Sequence, residues 1–229
     1  MKDLLNYVLY KIIVSSLVVF VINLMFIFVF QDVFQSLYFT ITIILFSLFV
    51  VIDKIFQQPV LYGKEETTRR DVIQTVFLII FLFLNPIMLA LPYLEYTYLI
   101  QDYIGDTAIL GFWIIGSIIL IIGGTVLSYS RYVIGKLGTL IIGVEHDHRL
   151  ITSGPYRFIR HPIYAGATTL FLGFALSFSA LLSSVLLLNF CVFLFEKRIR
   201  EEEKLLVETF GEEYLEYMSH TKKIIPFLY

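Results

Sequence analysis

Charged residues are few and clustered along this chain, and the intervals between them are long and apolar. Lys11 and Asp32 bracket Ile12 to Gln31, Asp32 and Asp53 bracket Val33 to Ile52, Asp71 and Glu95 bracket Val72 to Leu94, and Asp106 and Arg131 bracket Thr107 to Ser130. Each interval offers about the 20 mostly apolar residues that a helix needs to cross the ~30 Å core of a bilayer. Four spanning helices are predicted. The first interval does not end like a signal peptide, because Phe30-Gln31-Asp32-Val33 stands where a small-x-small cleavage site would be. A fifth interval, Pro162 to Phe195, carries no charge for 34 residues. As one helix it would be about 50 Å long, too long for the same core. Two helices of about 16 residues joined by a tight turn fit better. Ser177 to Ser184, which holds four serines, is the expected turn.

The basic residues test this count, since loops rich in Lys and Arg stay on the cytosolic side. With a cytosolic N-terminus and a returning hairpin, all 17 Lys and Arg fall on the inner side. The outer segments, near Asp32 and from Glu95 to Asp106, carry none. One long fifth helix would instead put the six basic residues of the tail outside. The expected fold is therefore an all-α integral membrane protein with about six transmembrane helices, both termini cytosolic. It includes a short C-terminal helical hairpin and a cytosolic amphipathic C-terminal helix. Composition agrees: 58% of the residues are apolar and 16% charged, against about 45–50% and about 25% in typical soluble chains. No basic tract suggests nucleic acid. The single cysteine, Cys191, excludes an internal disulfide and lies in an apolar run, where a buried, inert thiol is expected.

Two inner segments depart from this apolar background. Gly143 to Gly166 reads GVEHDHRLITSGPYRFIRHPIYAG. Thr152-Ser153-Gly154-Pro155-Tyr156 has turn chemistry, and Pro162 suits the first turn of the hairpin's first helix. N–H groups at such a helix start can bind an anion. The second segment, Glu196 to Tyr229, opens with EKRIREEEKLLVETF, a helix-forming run with an apolar stripe of Leu205, Leu206 and Phe210. Arg198 and Glu202 are four apart and share a face. Gly211 is the expected end or kink of this helix, and the aromatic and apolar residues beyond it suit a membrane surface. A returning hairpin sets His161 and Tyr164 at its entry beside Arg198 and Glu202 at its exit, with water on one side and lipid on the other.

The series GPYRFIRHPIYAG, apolar hairpin, RIREEEKLL, FGEEYLEY and KKIIPFLY resembles the isoprenylcysteine carboxyl methyltransferase family. Related membrane phospholipid methyltransferases share parts of it. The resemblance covers about Leu150 to Tyr229, with weaker likeness through the preceding helix. It implies N-terminal transmembrane helices over 1–105, the variable region, and a methyltransferase core over 106–229. It implies S-adenosylmethionine as cofactor, held by Leu150, Ile151, Thr152, Gly154, Pro155, Tyr156, His161, Pro162, Tyr164, Glu203 and Tyr217. Arg198 and Glu202 match the residues at the reacting centre, and His148 matches a position just before the loop. The acceptor it implies is lipid-like: the C-terminal carboxylate of an isoprenylcysteine, a phospholipid amine, or another small lipophilic molecule.

A carboxylate acceptor is already ionised, since α-carboxyls titrate near 3.3–3.7, and needs no general base. Arg198 would orient it, with Glu202 tempering and positioning the arginine. An amine acceptor must first lose a proton, and Glu202 is then the candidate base. Sterol reductases using NADPH share the G-P-Y and R-H-P-x-Y elements and supply a second enzyme class, although they are longer. A scaffold or small transporter would bind no cofactor. Glu145, His146, Asp147 and His148 offer metal-ligand side chains at no standard spacing, so a solvated loop and no metal are expected. Gly116, Gly123 and Gly124 are expected to permit close helix packing, and Lys11 to snorkel. The 53–71 loop is expected to be a solvated connection or partial lid. Substrate identity and oligomeric state stay open.

Overall fold

The computed structural model describes residues 36–56, 87–135 and 150–224. The expectations for the first span, the 53–71 loop, most of the third span, Lys11, and Glu145 to His148 lie outside these residues. Regular structure among the described residues is helical: α1 (Leu37–Phe56), α2 (Ile87–Ile100, closing in a π-helical turn at Tyr96–Ile100), α3 (Asp106–Ile134), α4 (Pro162–Ser177), α5 (Leu181–Phe210) and α6 (Glu212–His220). A short 3-10 turn spans Gly154–Arg157.

Helix α3 is 29 residues, about 43 Å at 1.5 Å per residue. Among the described helices it alone is long and apolar enough to cross a membrane by length and composition. One stripe of it, Gly116, Leu120, Gly123, Gly124 and Leu127, is buried, while Ile114, Ile115, Ile118, Ile121 and Ile122 are exposed. An uncovered isoleucine face of this extent suits lipid rather than water.

The buried stripe is where α4 docks, backbone against backbone. A methyl group added at Gly116 or Gly123 would strike the main chain of Ser177 or Leu170 on α4; one at Gly166 or Gly173 would strike that of Leu127 or Leu120 on α3. The glycines on each helix are two turns apart, so they form one seam. This meets the expectation for Gly116 and Gly123. Gly124 meets it against α1, where Phe49 occupies the space its Cβ would need. Phe39 stacked on Phe178 at 4.5 Å and Phe46 tilted against Phe174 at 4.9 Å continue the α1 contact. Two polar ties pin α1 to α3: Trp113 Nε1 donates to Tyr38 O at 2.9 Å, and Arg131 Nε pairs with Asp53 at 2.8 Å.

The fifth apolar interval folds as the expected hairpin. Its turn is Phe178-Ser179-Ala180, inside the predicted serine stretch, with Ser179 in the left-handed region at φ 59°. Phe178 and Ala180 are fully buried there. The start of α5 is capped from another helix: the Glu95 carboxylate accepts from Leu182 N at 2.9 Å and Ser183 N at 2.6 Å. Helix α5 then runs without a break from the apolar leg into the charged segment. Nothing between Leu181 and Phe210 is Gly or Pro, so no residue there interrupts it. The reacting-centre candidates are thus carried on an extension of the hairpin itself. Gly211, at φ 55°, ends α5 and turns the chain into α6, as its sequence position suggested.

Candidate active site

At the entry of α4 and along the extension of α5, three titratable side chains meet. Arg198 and Glu202 lie one turn apart on α5, and Tyr164 reaches them from the first turn of α4. The Tyr164 hydroxyl accepts from Arg198 Nε at 2.9 Å and donates to Glu202 Oε2 at 2.8 Å. The ring rests against Phe195, with centroids 5.0 Å apart. His161, 3% exposed, stands behind this group with Nδ1 3.9 Å from Glu202 Oε1.

Glu203 faces a different set of partners. It accepts from Arg160 Nε at 2.9 Å and lies 3.2 Å from His161 Nε2. Burial opposes its charge, but the hydrogen bonds from His161 and Arg160 and their charges outweigh burial and hold the carboxyl at about 2. Arg160 also donates through Nη1 to Thr221 O at 2.5 Å and Met218 O at 3.3 Å, which caps the C-terminal end of α6.

The chain beyond α6 lies alongside this corner. Arg160 N donates to Lys222 O at 2.8 Å and His161 N to Lys223 O at 3.0 Å. A parallel bridge joins Ile159 and Lys222, and Lys223 Nζ reaches Glu196 at 3.1 Å. Two of the N–H groups at the anion-binding corner expected before α4 are therefore taken by tail carbonyls.

The remaining candidates arrange around this knot. Leu150, Ile151 and Thr152 enter as irregular backbone. Gly154, at φ 60°, opens the 3-10 turn with Pro155 in its first turn. Tyr156 is buried; its hydroxyl lies 3.5 Å from Ser130 O, and its carbonyl accepts from the Tyr217 hydroxyl at 2.6 Å. Pro162 is the first residue of α4. Burial pushes the Tyr217 phenol up to about 12 and that of Tyr156 above the ordinary tyrosine range, so both stay protonated donors at working pH.

The structure thus brings Arg198, Glu202, Tyr164 and His161 together at one point, and Glu203 with His161 at the next. Tyr156 and Tyr217 form the adjoining wall. The sequence reading missed two residues. Arg160 was counted only as a basic residue of the loop, although adjacency to His161 was a usable signal. Tyr214 falls among the aromatic residues beyond Gly211 that suit a membrane surface. It is 1% exposed, its hydroxyl is buried without a hydrogen-bond partner among the described residues, and it feels the charges of Glu203, Arg160 and Glu202.

Residues 112–213 match the phospholipid methyltransferase family. The chain is 33% identical over 116 residues to a probable protein-S-isoprenylcysteine O-methyltransferase of Oryza sativa subsp. indica, covering 50% of this chain and 61% of that protein. It is 33% identical over 121 residues to the protein-S-isoprenylcysteine O-methyltransferase of Saccharomyces cerevisiae, covering 50% of this chain and 49% of that one. The matched part is thus about half to three-fifths of those relatives' length. The solved structure of a eukaryotic intramembrane Ras methyltransferase, an isoprenylcysteine carboxyl methyltransferase, superposes with a TM-score of 0.54 at 19% identity, covering 99% of this chain and 86% of that one. That likeness is one of fold.

Proposed function

We propose that this chain is a member of the isoprenylcysteine carboxyl methyltransferase family and transfers a methyl group from S-adenosylmethionine to the carboxylate of a prenylated cysteine at a membrane surface. The observation that carries this reading is the contact of Arg198, Tyr164 and Glu202 where the hairpin meets the charged extension of α5. The relatives named above are methyltransferases, which favours this chemistry over an NADPH reductase or a scaffold. In this reading the hairpin and α3 belong to a core over 106–229, the earlier helices bring the total to about six spans, and the site opens to the cytosol. The placement of all 17 basic residues on one side supports that orientation.

The residues present suit the cofactor. The sulfonium is cationic, and this corner offers two carboxylates, Glu202 and Glu203, with the phenols of Tyr156, Tyr214 and Tyr217 around them. The buried Tyr214 hydroxyl lacks a partner among the described residues, and an unmet polar atom of this kind costs about 1–3 kcal/mol that a polar ligand would relieve. When bound, S-adenosylmethionine supplies an activated methyl carbon. The turn from Leu150 to Tyr156, with Pro162 and Tyr217, would line its site; His161 and Glu203 would brace that wall through each other and Arg160.

Arg198 orients the acceptor carboxylate, which is ionised and needs no base. Alignment of this kind can supply about 7–11 kcal/mol of barrier reduction. Glu202 limits the pull of Arg198 on the carboxylate's charge. The lipid tail stays in the bilayer beside the apolar hairpin, while the polar end reaches the water boundary. The phospholipid methyltransferase match favours a second reading in which the acceptor is a lipid amine and Glu202 takes its proton.

Purified protein in detergent, given labelled S-adenosylmethionine, tests both. S-farnesylcysteine with a free carboxylate is the expected acceptor, and phosphatidylethanolamine the competitor. Arg198→Ala should lower turnover at least about 100-fold, the scale of a lost orienting contact, while S-adenosylhomocysteine binds within about threefold, under 1 kcal/mol. Methylation of the amine lipid alone would replace the first reading by the second. Cofactor binding lost in Arg198→Ala would reassign that arginine to the cofactor.

A further inference from the structure

We infer that Tyr164 is a positioning residue of the reacting centre, not part of the cofactor wall; this rests on the methyltransferase reading. Its hydroxyl is the shared atom between the two candidate catalytic side chains. Arg198 and Glu202 are long and flexible, and each loses rotamer freedom if held in one place. Their spacing on α5 alone does little to hold them, because two side chains four apart on one helix face are only weakly coupled. A third point on another helix changes this.

Tyr164 supplies that point from the rigid start of α4. Pro162 fixes the backbone two residues before it, and its own carbonyl is engaged by Thr168 Oγ1 at 2.9 Å. Phe195 and His161 flank the ring, at centroid distances of 5.0 and 5.9 Å. The phenol oxygen therefore has one position, 2.9 Å from Arg198 Nε and 2.8 Å from Glu202 Oε2.

The hydrogen bonds also have one direction. A guanidinium only donates and a carboxylate only accepts, whereas a phenol does both. Arg198 donates to Tyr164, and Tyr164 donates to Glu202. The phenol thus fixes the guanidinium plane that must meet the acceptor carboxylate, and fixes which oxygen of Glu202 turns toward the site. Phenylalanine keeps the ring and its packing and deletes both bonds.

The test is Tyr164→Phe in the purified full chain, with S-farnesylcysteine as acceptor. Wild-type turnover on S-farnesylcysteine is measured first; its absence would defeat the prenylcysteine reading on which the inference rests, and the inference with it. With active wild type, kcat at saturating cofactor should fall about 10- to 100-fold, the scale of a small misplacement of reacting groups. S-adenosylhomocysteine should bind within about twofold, well under 1 kcal/mol, and the melting midpoint should hold. Because the phenol acts through Arg198, adding Tyr164→Phe to Arg198→Lys should cost little more than Arg198→Lys alone. Additive losses in that pair would overturn the inference. So would a tenfold weakening of S-adenosylhomocysteine with kcat restored at saturation, or a variant indistinguishable from wild type.

Discussion

Glu95 makes a contact whose removal tests the architecture apart from the chemistry. The first N–H groups of α5 have no partner within the helix, and they lie at the tip of a hairpin where Phe178 and Ala180 are fully buried. Glu95, 8% exposed, accepts from two of them, at 2.9 and 2.6 Å. Its charge also sits at the positive end of the α5 dipole, worth about 0.3–1 kcal/mol at exposed sites and up to about 2 when partly buried. A side-chain cap contributes about 0.5–2 kcal/mol, and bonds to a charged acceptor stand at about 1.5–3 each. Glu95→Ala loses both acceptors and the charge, for an expected cost of about 3 kcal/mol. Glu95→Gln keeps one acceptor oxygen and should cost about half as much. At about 2–4 °C per kcal/mol for a chain of this size, the melting midpoint of the purified protein should fall by about 6–12 °C for alanine, with glutamine between. Binding of S-adenosylhomocysteine at low temperature should survive, because the cap lies at the far end of the hairpin from Arg198. A midpoint within about 1 °C of wild type would refute the claim that this carboxylate holds the tip.

Two further outcomes follow from the site and the helix seam. The Glu203 carboxyl stands near 2 in the folded protein and near 4.3 when unfolded. Its stabilisation, about 1–2 kcal/mol once solvent screening is allowed for, is present above about pH 4.3 and lost as pH falls toward 2. Melting curves of wild type and Glu203→Gln should therefore differ at pH 7 and converge in acid; a constant gap down to pH 3 would contradict the pairing with Arg160 and His161. Gly173→Ala would press a methyl group onto the backbone of Leu120, for a cost of about 1–3 kcal/mol. Gly105→Ala meets nothing within 4 Å and only weakens the N-cap of α3, so it should cost no more than about 1 kcal/mol, which thermal melts in one detergent would compare directly.

What the sequence made legible follows from how each force is written in it. The hairpin was visible because 34 uncharged residues exceed any single crossing, and because the basic tail must return to the side of the loop. Arg198 and Glu202 were visible because a spacing of four on a helix is a local fact. Tyr164 beside them was foreseen as a neighbour through topology, but its place between them depends on the rotation of α4 against α5, which no local pattern encodes. The Gly116 and Gly123 seam was half legible, since small residues two turns apart announce a close approach without naming Gly166 and Gly173 as the facing pair. Glu95 reads in sequence as the polar edge of an outer loop; only the fold shows that its carboxylate points at a helix 87 positions away. Glu203 is the sharpest case. It shares its charge and helix with Glu202 and is next to it in the chain, yet the helical turn of about 100° per residue sends one carboxylate to Tyr164 and the other to Arg160. One of the two adjacent acids then joins Tyr164 and Arg198 while the other ties the loop to the tail through Arg160, and that division is set by helix geometry rather than by residue type.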